Sequence, residues 1–213
     1  MKRTLYLGTS PAHFASEGHL IHYPVIKVVP RSPNHPEIAQ AFENLSSCTH
    51  IIFTSKNTVA VFLQQVEREK LEGKCIIAIG RVTAAHLNLQ KVRVDHVAEQ
   101  ESQEGIIALL ETLDLKGANI FMPRSSLARP QIVHFLQEKG VNYTAVDLYD
   151  TVVQRLEPTP ELRDFDEIIF TSPSTVHAFK EIFGHLPKDK KLIAIGPITE
   201  EALREERSEK KWT

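Results

Sequence analysis

The chain carries one strand-turn-helix phrase twice. Residues 51–62 read IIFTSKNTVAVF and residues 168–179 read IIFTSPSTVHAF, with eight of twelve aligned positions identical. A second pair, IIAIGRVTAAHL at 76–87 and LIAIGPITEEAL at 192–203, shares six of twelve positions. The offsets are 117 and 116, and the order is the same in both halves. Such a repeat constrains architecture before any local propensity does. This period is too long for a solenoid. It implies two similar domains of roughly 100 residues, each large enough for its own core. A cleft between two domains is a common place for a ligand.

Short β-rich runs alternate with helical patterns, which argues for parallel sheets covered by helices. Strands are expected at 4–7, 22–29, 50–54, 75–79, 93–97, 119–122, 143–153, 167–171 and 192–195. Helices are expected at 36–46, 56–70, 82–88, 102–113, 128–139, 174–183 and 198–207. Runs such as IIF and IIAI are apolar on both faces, as a sheet buried on both sides requires. YPVIKVVP (23–30) and AVDLYDTVVQ (145–154) alternate apolar with polar instead. Alternation predicts strands with one solvated face, and the two could pair as an antiparallel linker. The domains would then be 1–23 with 155–213, and 31–146, joined by linker strands 24–30 and 147–154.

Composition narrows the function classes. Apolar residues make up 42% and charged residues 24%, which is ordinary for a soluble globular protein. A net charge of -2 does not advertise nucleic acid as a partner. No apolar run approaches the roughly 18–20 residues that span a bilayer, so no membrane partner is expected. The start MKRTLYLGTSP is too short in apolar residues for a secretory signal, and the expected location is the cytoplasm. Cys48 and Cys75 form no CxxC pair and are expected to be reduced structural thiols. Ten histidines are scattered without ligand spacing, so no metal is expected. No GxGxxG, GKS/T or GxSxG phrase occurs, which removes support for nucleotide binding and for a serine nucleophile.

The repeated turns carry the chemistry. In each FTS phrase an apolar strand ends and a helix begins. Ser172 before Pro173 is a strong helix start, and Ser55 or Asn57 can cap the other copy. Free N–H groups and the helix dipole make such turns attractive to anions, although plain capping would explain one copy alone. Each IG phrase ends a strand in glycine before Val82-Thr83 or Ile198-Thr199. In FMPRSSLARP (121–130), Arg124 and Arg129 could grip carboxylates in bidentate fashion or stand in a solvated loop. Tyr149 could pack with its hydroxyl at a sheet edge or serve as a proton donor.

In this order the phrases resemble the uroporphyrinogen-III synthase family. The resemblance is carried by IIFTSKNTV (51–59), IAIGRVTAAHL (77–87), VAEQESQEGIIALL (97–110) and ANIFMPRS (118–125). It continues through DLYDTVV (147–153), IIFTSPSTVHAF (168–179) and IAIGPITEEAL (193–203), covering about residues 20–205. It implies an α/β fold of two flavodoxin-like, doubly wound parallel-sheet domains on a two-stranded antiparallel linker, with the active site in the interdomain cleft. It implies a cofactor-free cyclase. The substrate would be hydroxymethylbilane, a linear polycarboxylate tetrapyrrole. Its terminal hydroxyl leaves as water, ring D inverts through a spiro intermediate, and the macrocycle closes as the type III isomer. The bilane also closes unaided to the type I isomer, so positioning is the main demand on the protein.

By the resemblance, Tyr149 is the candidate proton donor. Thr83, Thr199, Ser172 and Lys191 are similar to family residues near the cleft, and Ser55 occupies the equivalent turn of the other domain. The full set of expected substrate-binding residues is Thr54, Ser55, Lys56, Asn57, Thr83, Arg124, Ser125, Ser172, Ser174, Thr175, Lys191 and Thr199. Nothing in the residues demands more than a monomer. The chain departs from the family in three places. Gly8-Thr9-Ser10 stands where an arginine is usual, PAHFASEGHL (11–20) offers barely two helical turns, and a final strand and helix are expected after the second IG phrase, where this chain ends.

Overall fold

The computed structural model describes residues 1–11, 14 and 18–208. It divides into two compact units, Met1–Lys27 with Thr151–Thr213, and Val28–Asp150. In chain order the strands and helices are β1 (Arg3–Tyr6), β2 (His19–His22), β3 (Ile26–Pro30), α1 (Pro36–Glu43), β4 (His50–Phe53) and α2 (Lys56–Gln65). Next come β5 (Cys75–Ala78), α3 (Arg81–Leu89), β6 (His96–Val97), α4 (Gln103–Leu110), β7 (Asn119–Ser125) and α5 (Gln131–Glu138). The last are β8 (Asn142–Val153), β9 (Glu167–Phe170), α6 (Pro173–Phe183), β10 (Lys191–Ala194) and α7 (Pro197–Ser208).

The discontinuous unit holds a parallel sheet in the order β10-β9-β1-β2. The continuous unit holds β3-β8-β7-β4-β5-β6, parallel from β8 through β6. The repeated phrases occupy equivalent places. β4 and β9 are the two IIF strands, and each lies between the strand of its IG phrase, β5 or β10, and a third strand, β7 or β1. Arg31 N donates to Leu148 O and Gln154 N to Val25 O. Residue numbers thus rise along β3 while they fall along β8, so that pair runs antiparallel.

Two-faced burial follows from the side-chain period of two. In β4, Ile51 and Phe53 enter one core with Val59, Phe62, Phe121 and Leu148. Ile52 enters the opposite core with Ile77, Ile106, Ile120 and Leu136. In the other unit Leu5, Leu7, Ile168, Phe170, Val176 and Phe179 form one core.

Several elements differ from expectation. The strand expected at 22–29 is two strands that break around Pro24, although Tyr23 N and Val25 N still donate to Tyr6 O and Leu7 O. His19 and Leu20, expected to close a short helix, belong to β2, and residues 12, 13 and 15–17 of that stretch lie outside the described residues. The helix expected at 56–70 ends at Gln65, where Val66 turns extended and packs into the core. The helix expected from 128 starts only after Pro130, and the strand expected at 93–97 narrows to His96–Val97.

Candidate functional site

Ligands of open α/β sheets bind at the C-terminal ends of the strands. In the continuous unit the first FTS turn leaves β4 at this edge. Ser55 is the N-cap of α2, and its Oγ accepts from Thr58 N at 3.0 Å. The same Oγ lies 2.8 Å from Thr58 Oγ1 and 3.1 Å from Tyr149 Oη. Tyr149 Oη is also 3.5 Å from Thr58 Oγ1. Two hydroxyls of one turn and a third from 94 residues away therefore converge at the start of a helix, where the dipole favours negative charge. Tyr149 is only 4% exposed, its ring lies in the core, and its hydroxyl points to the half-buried Ser55. Thr54, Lys56 and Asn57 are half-buried residues of the same turn.

A bulge in β8 sets the direction of the tyrosine. Arg124 on β7 pairs with Asp147, but the next residue, Ser125, pairs with Tyr149. Leu148 is the extra residue. Leu148 and Tyr149 consequently both face the core that contains α2, which successive residues of a regular strand cannot do.

The first IG turn lies beside this group. Gly80 is extended, and a Cβ there would fall 2.4 Å from Glu101 Cδ. The missing side chain is what admits the Glu101 carboxylate, whose Oε1 accepts from Arg81 N at 2.9 Å. The N-terminus of α3 thus already holds a carboxylate of the chain. Thr83 is 4% exposed, and its hydroxyl has no hydrogen bond among the described residues. At the end of β7, Arg124 Nε donates to Asp147 Oδ1 at 2.8 Å, and Ser125 Oγ accepts from Leu127 N. Arg129 makes a two-pronged pair with Glu104, at 2.7 and 3.0 Å, and this holds the Glu104 carboxyl down at about 2. Both arginines therefore meet carboxylates of the chain itself.

In the discontinuous unit the second FTS turn is closed on itself. Thr175 Oγ1 donates to Ser172 O and accepts from Thr171 N and Ser172 N. Ser172 Oγ lies 2.9 Å from Ser174 Oγ. Thr199 Oγ1 donates to Ile195 O at 3.1 Å. Lys191 does not join these residues. It opens β10 at the N-terminal edge of the sheet, with Nζ 3.8 Å from Glu167 Oε2. Burial pushes the Glu167 carboxyl up, but hydrogen bonds from Lys2 and Thr4 outweigh it, and the net direction is down. Lys191 belongs to this ion cluster at the strand starts.

Among the described residues no group of His, Cys, Asp or Glu could hold a metal ion, and no helix is long and apolar enough to cross a membrane. Cys48 and Cys75 are free, and burial pushes both thiols up, away from the reactive thiolate. Sequence reasoning missed Thr58 and Glu101. The Ser-x-x-Thr capping spacing could have found Thr58. No local signal points to Glu101.

The family described as Uroporphyrinogen-III synthase HemD matches residues 14–213. The chain belongs to the uroporphyrinogen-III synthase family. It is 27% identical over 214 residues to the uroporphyrinogen-III synthase of Chlorobaculum parvum, covering 92% of this chain and 87% of that one. Two solved structures share the fold. Uroporphyrinogen-III synthetase from Helicobacter pylori has a TM-score of 0.66 at 19% identity, over 96% of this chain and 89% of the other. A mutant uroporphyrinogen III synthase from Thermus thermophilus has a TM-score of 0.65 at 17% identity, over the same shares.

Proposed function

We propose that the protein is a working uroporphyrinogen-III synthase, closing hydroxymethylbilane to uroporphyrinogen III. The observation that carries this reading is the convergence of Tyr149, Ser55 and Thr58 at the start of α2. Loss of the bilane hydroxyl as water needs a proton at that oxygen, and a positioned phenol supplies one. Ser55 and Thr58 hold the phenol oxygen and can relay a replacement proton along the hydroxyl chain. A single such donor contributes about 10²–10⁴-fold. Direction of ring D to the hindered position rests on holding the substrate. The Thr83 hydroxyl, without a hydrogen bond among the described residues, provides contacts for its carboxylates with Thr54, Lys56, Asn57 and Ser125 at the same edge. Ser172, Ser174, Thr175 and Thr199 line the strand ends of the other unit and are proposed as further contacts. Lys191 is proposed only as a member of the Glu167 cluster.

The strand orders support a flavodoxin-like unit on each side of the duplication. β2-β1-β9-β10 and β8-β7-β4-β5-β6 both follow the 2-1-3-4 progression of that arrangement once the second is read from β7. The test of function is direct. Purified protein is added to fresh hydroxymethylbilane, and the uroporphyrin isomers are separated after oxidation. Type III above the spontaneous type I background is expected. Type I alone sinks the proposal.

A further inference from the structure

Arg31 follows β3 and stands against the bulge of β8. Its Nε and Nη2 donate to the two carboxylate oxygens of Asp150, at 3.0 and 2.7 Å. Its Nη1 lies 4.0 Å from Asp147 Oδ2. Asp147 and Asp150 are three residues apart. On a regular strand such residues point to opposite faces, because side chains alternate with period two. One guanidinium reaches both only because the extra residue between them resets the alternation. The contact therefore exists in the bulged strand and is lost in a regular one.

The backbone of Arg31 holds the same segment. Its N–H donates to Leu148 O, the carbonyl of the extra residue, at 2.8 Å. Its carbonyl accepts from Gln65 Nε2 at 3.1 Å, and Gln65 ends α2, the helix that begins at Ser55. From the other side, Arg124 holds Asp147, and Ser126 N donates to Tyr149 O. Tyr149 thus sits between two carboxylates that Arg31 grips on the opposite face.

We propose that Arg31 is a positioning residue for Tyr149: by holding Asp147 and Asp150 it locks the bulge that turns the phenol toward Ser55 and Thr58. The proposal rests on the reading of Tyr149 as the proton donor. A regular β8 would send residue 149 to the other face, away from α2.

Arg31→Gln, Tyr149→Phe and the double variant are compared for type III formation, each beside its thermal unfolding midpoint. Arg31→Gln is expected to lower kcat about tenfold with KM nearly unchanged, as a misplaced catalytic group does. In the Tyr149→Phe background the same change is expected to cost less than about twofold, because coupled residues are not additive. Equal losses in both backgrounds overturn the proposal. An independent readout uses protein labelled with ¹³C at tyrosine Cζ, the Tyr149 resonance being the one absent from Tyr149→Phe. It is expected to move in Arg31→Gln and in Asp150→Asn, a half-exposed change that keeps the test alive should Arg31→Gln not fold. A resonance that stays in place overturns the clamp whatever the activity. Full kcat in Tyr149→Phe removes the proton-donor reading instead, and the resonance alone then decides the clamp.

Discussion

After β4, the Ser55 hydroxyl takes the Thr58 N–H of its own helix and meets Tyr149 from β8. After β9, the matching hydroxyls bond within their turn among the described residues, with Thr175 satisfying Ser172 O and two backbone N–H groups. The two IG turns diverge in the same manner. Gly80 is extended and leaves room for Glu101, whereas Gly196 has φ +87 and open space where a Cβ would stand, with no described atom within 4 Å. Thr83 has no hydrogen bond among the described residues, and Thr199 bonds Ile195 O. One sequence phrase thus builds the same turn twice, and the neighbouring strand or loop decides whether its polar groups are turned outward or used up at home.

The contrast can be broken most sharply at the tyrosines. Tyr149→Phe is expected to lower kcat for type III formation about 10²-fold or more. Tyr23, in the other unit, bonds the backbone of Leu156 through both N and O. Tyr23→Phe is expected to leave kcat in place and to lower stability by about 1 kcal/mol in denaturant titration. Similar kcat losses in the two variants would erase the distinction between the units.

The glycines come next. Gly196→Ala places a Cβ at positive φ and is expected to cost about 1–2 kcal/mol. Gly80→Ala only pushes aside the far end of Glu101, and the cost expected from the lost Arg81 contact is below about 1 kcal/mol. A larger loss for Gly80→Ala in chemical unfolding would show Glu101 to be a structural strut.

The threonines sharpen the same point with smaller effects. Thr199→Val removes a hydrogen bond and is expected to destabilise by about 1 kcal/mol. Thr83→Val is expected to stay within about 0.5 kcal/mol of the parent, while KM for hydroxymethylbilane rises. An unchanged KM would take Thr83 out of the substrate contacts.

The smallest effect is a titration. The hydrogen bonds from Arg31 hold the Asp150 carboxyl down at about 2. A carboxyl whose folded value is depressed adds stability above its unfolded value, near 3.9, and loses it as pH falls toward about 2. Carboxyl ¹³C NMR should find a midpoint near 2 in the parent and a return to the ordinary carboxylate range in Arg31→Gln. A low midpoint in both would assign the shift to Ser126, the second donor.

Much of this fold was legible because its signals are short-range. A doubly apolar run such as IIF must be buried on two faces, and Ser172 before Pro173 at the end of such a run starts a helix. Breaks in the pattern were less legible. One expected strand breaks around Pro24, and the helix expected to run to 70 ends at Gln65, where Val66 is extended and buried in the core. Lys191, expected near the substrate from the resemblance, opens β10 at the opposite end of the strand from the IG turn and reaches Glu167, a partner 24 residues away that no local pattern reveals.

The sequence by itself determined the duplicated α/β units, the capped turns at their strand ends and the presence of a tyrosine on a half-polar strand, all consequences of periodicity and local hydrogen bonding. Tertiary structure decided that Tyr149 meets Ser55, 94 residues away, and that Glu101 seats against Gly80. It also decided that Arg31 spans Asp147 and Asp150 across a bulge. The physical reason is that side-chain direction at a bulge, and the partner a hydroxyl finds, are set by pairing between strands, and no short stretch of chain encodes that pairing alone.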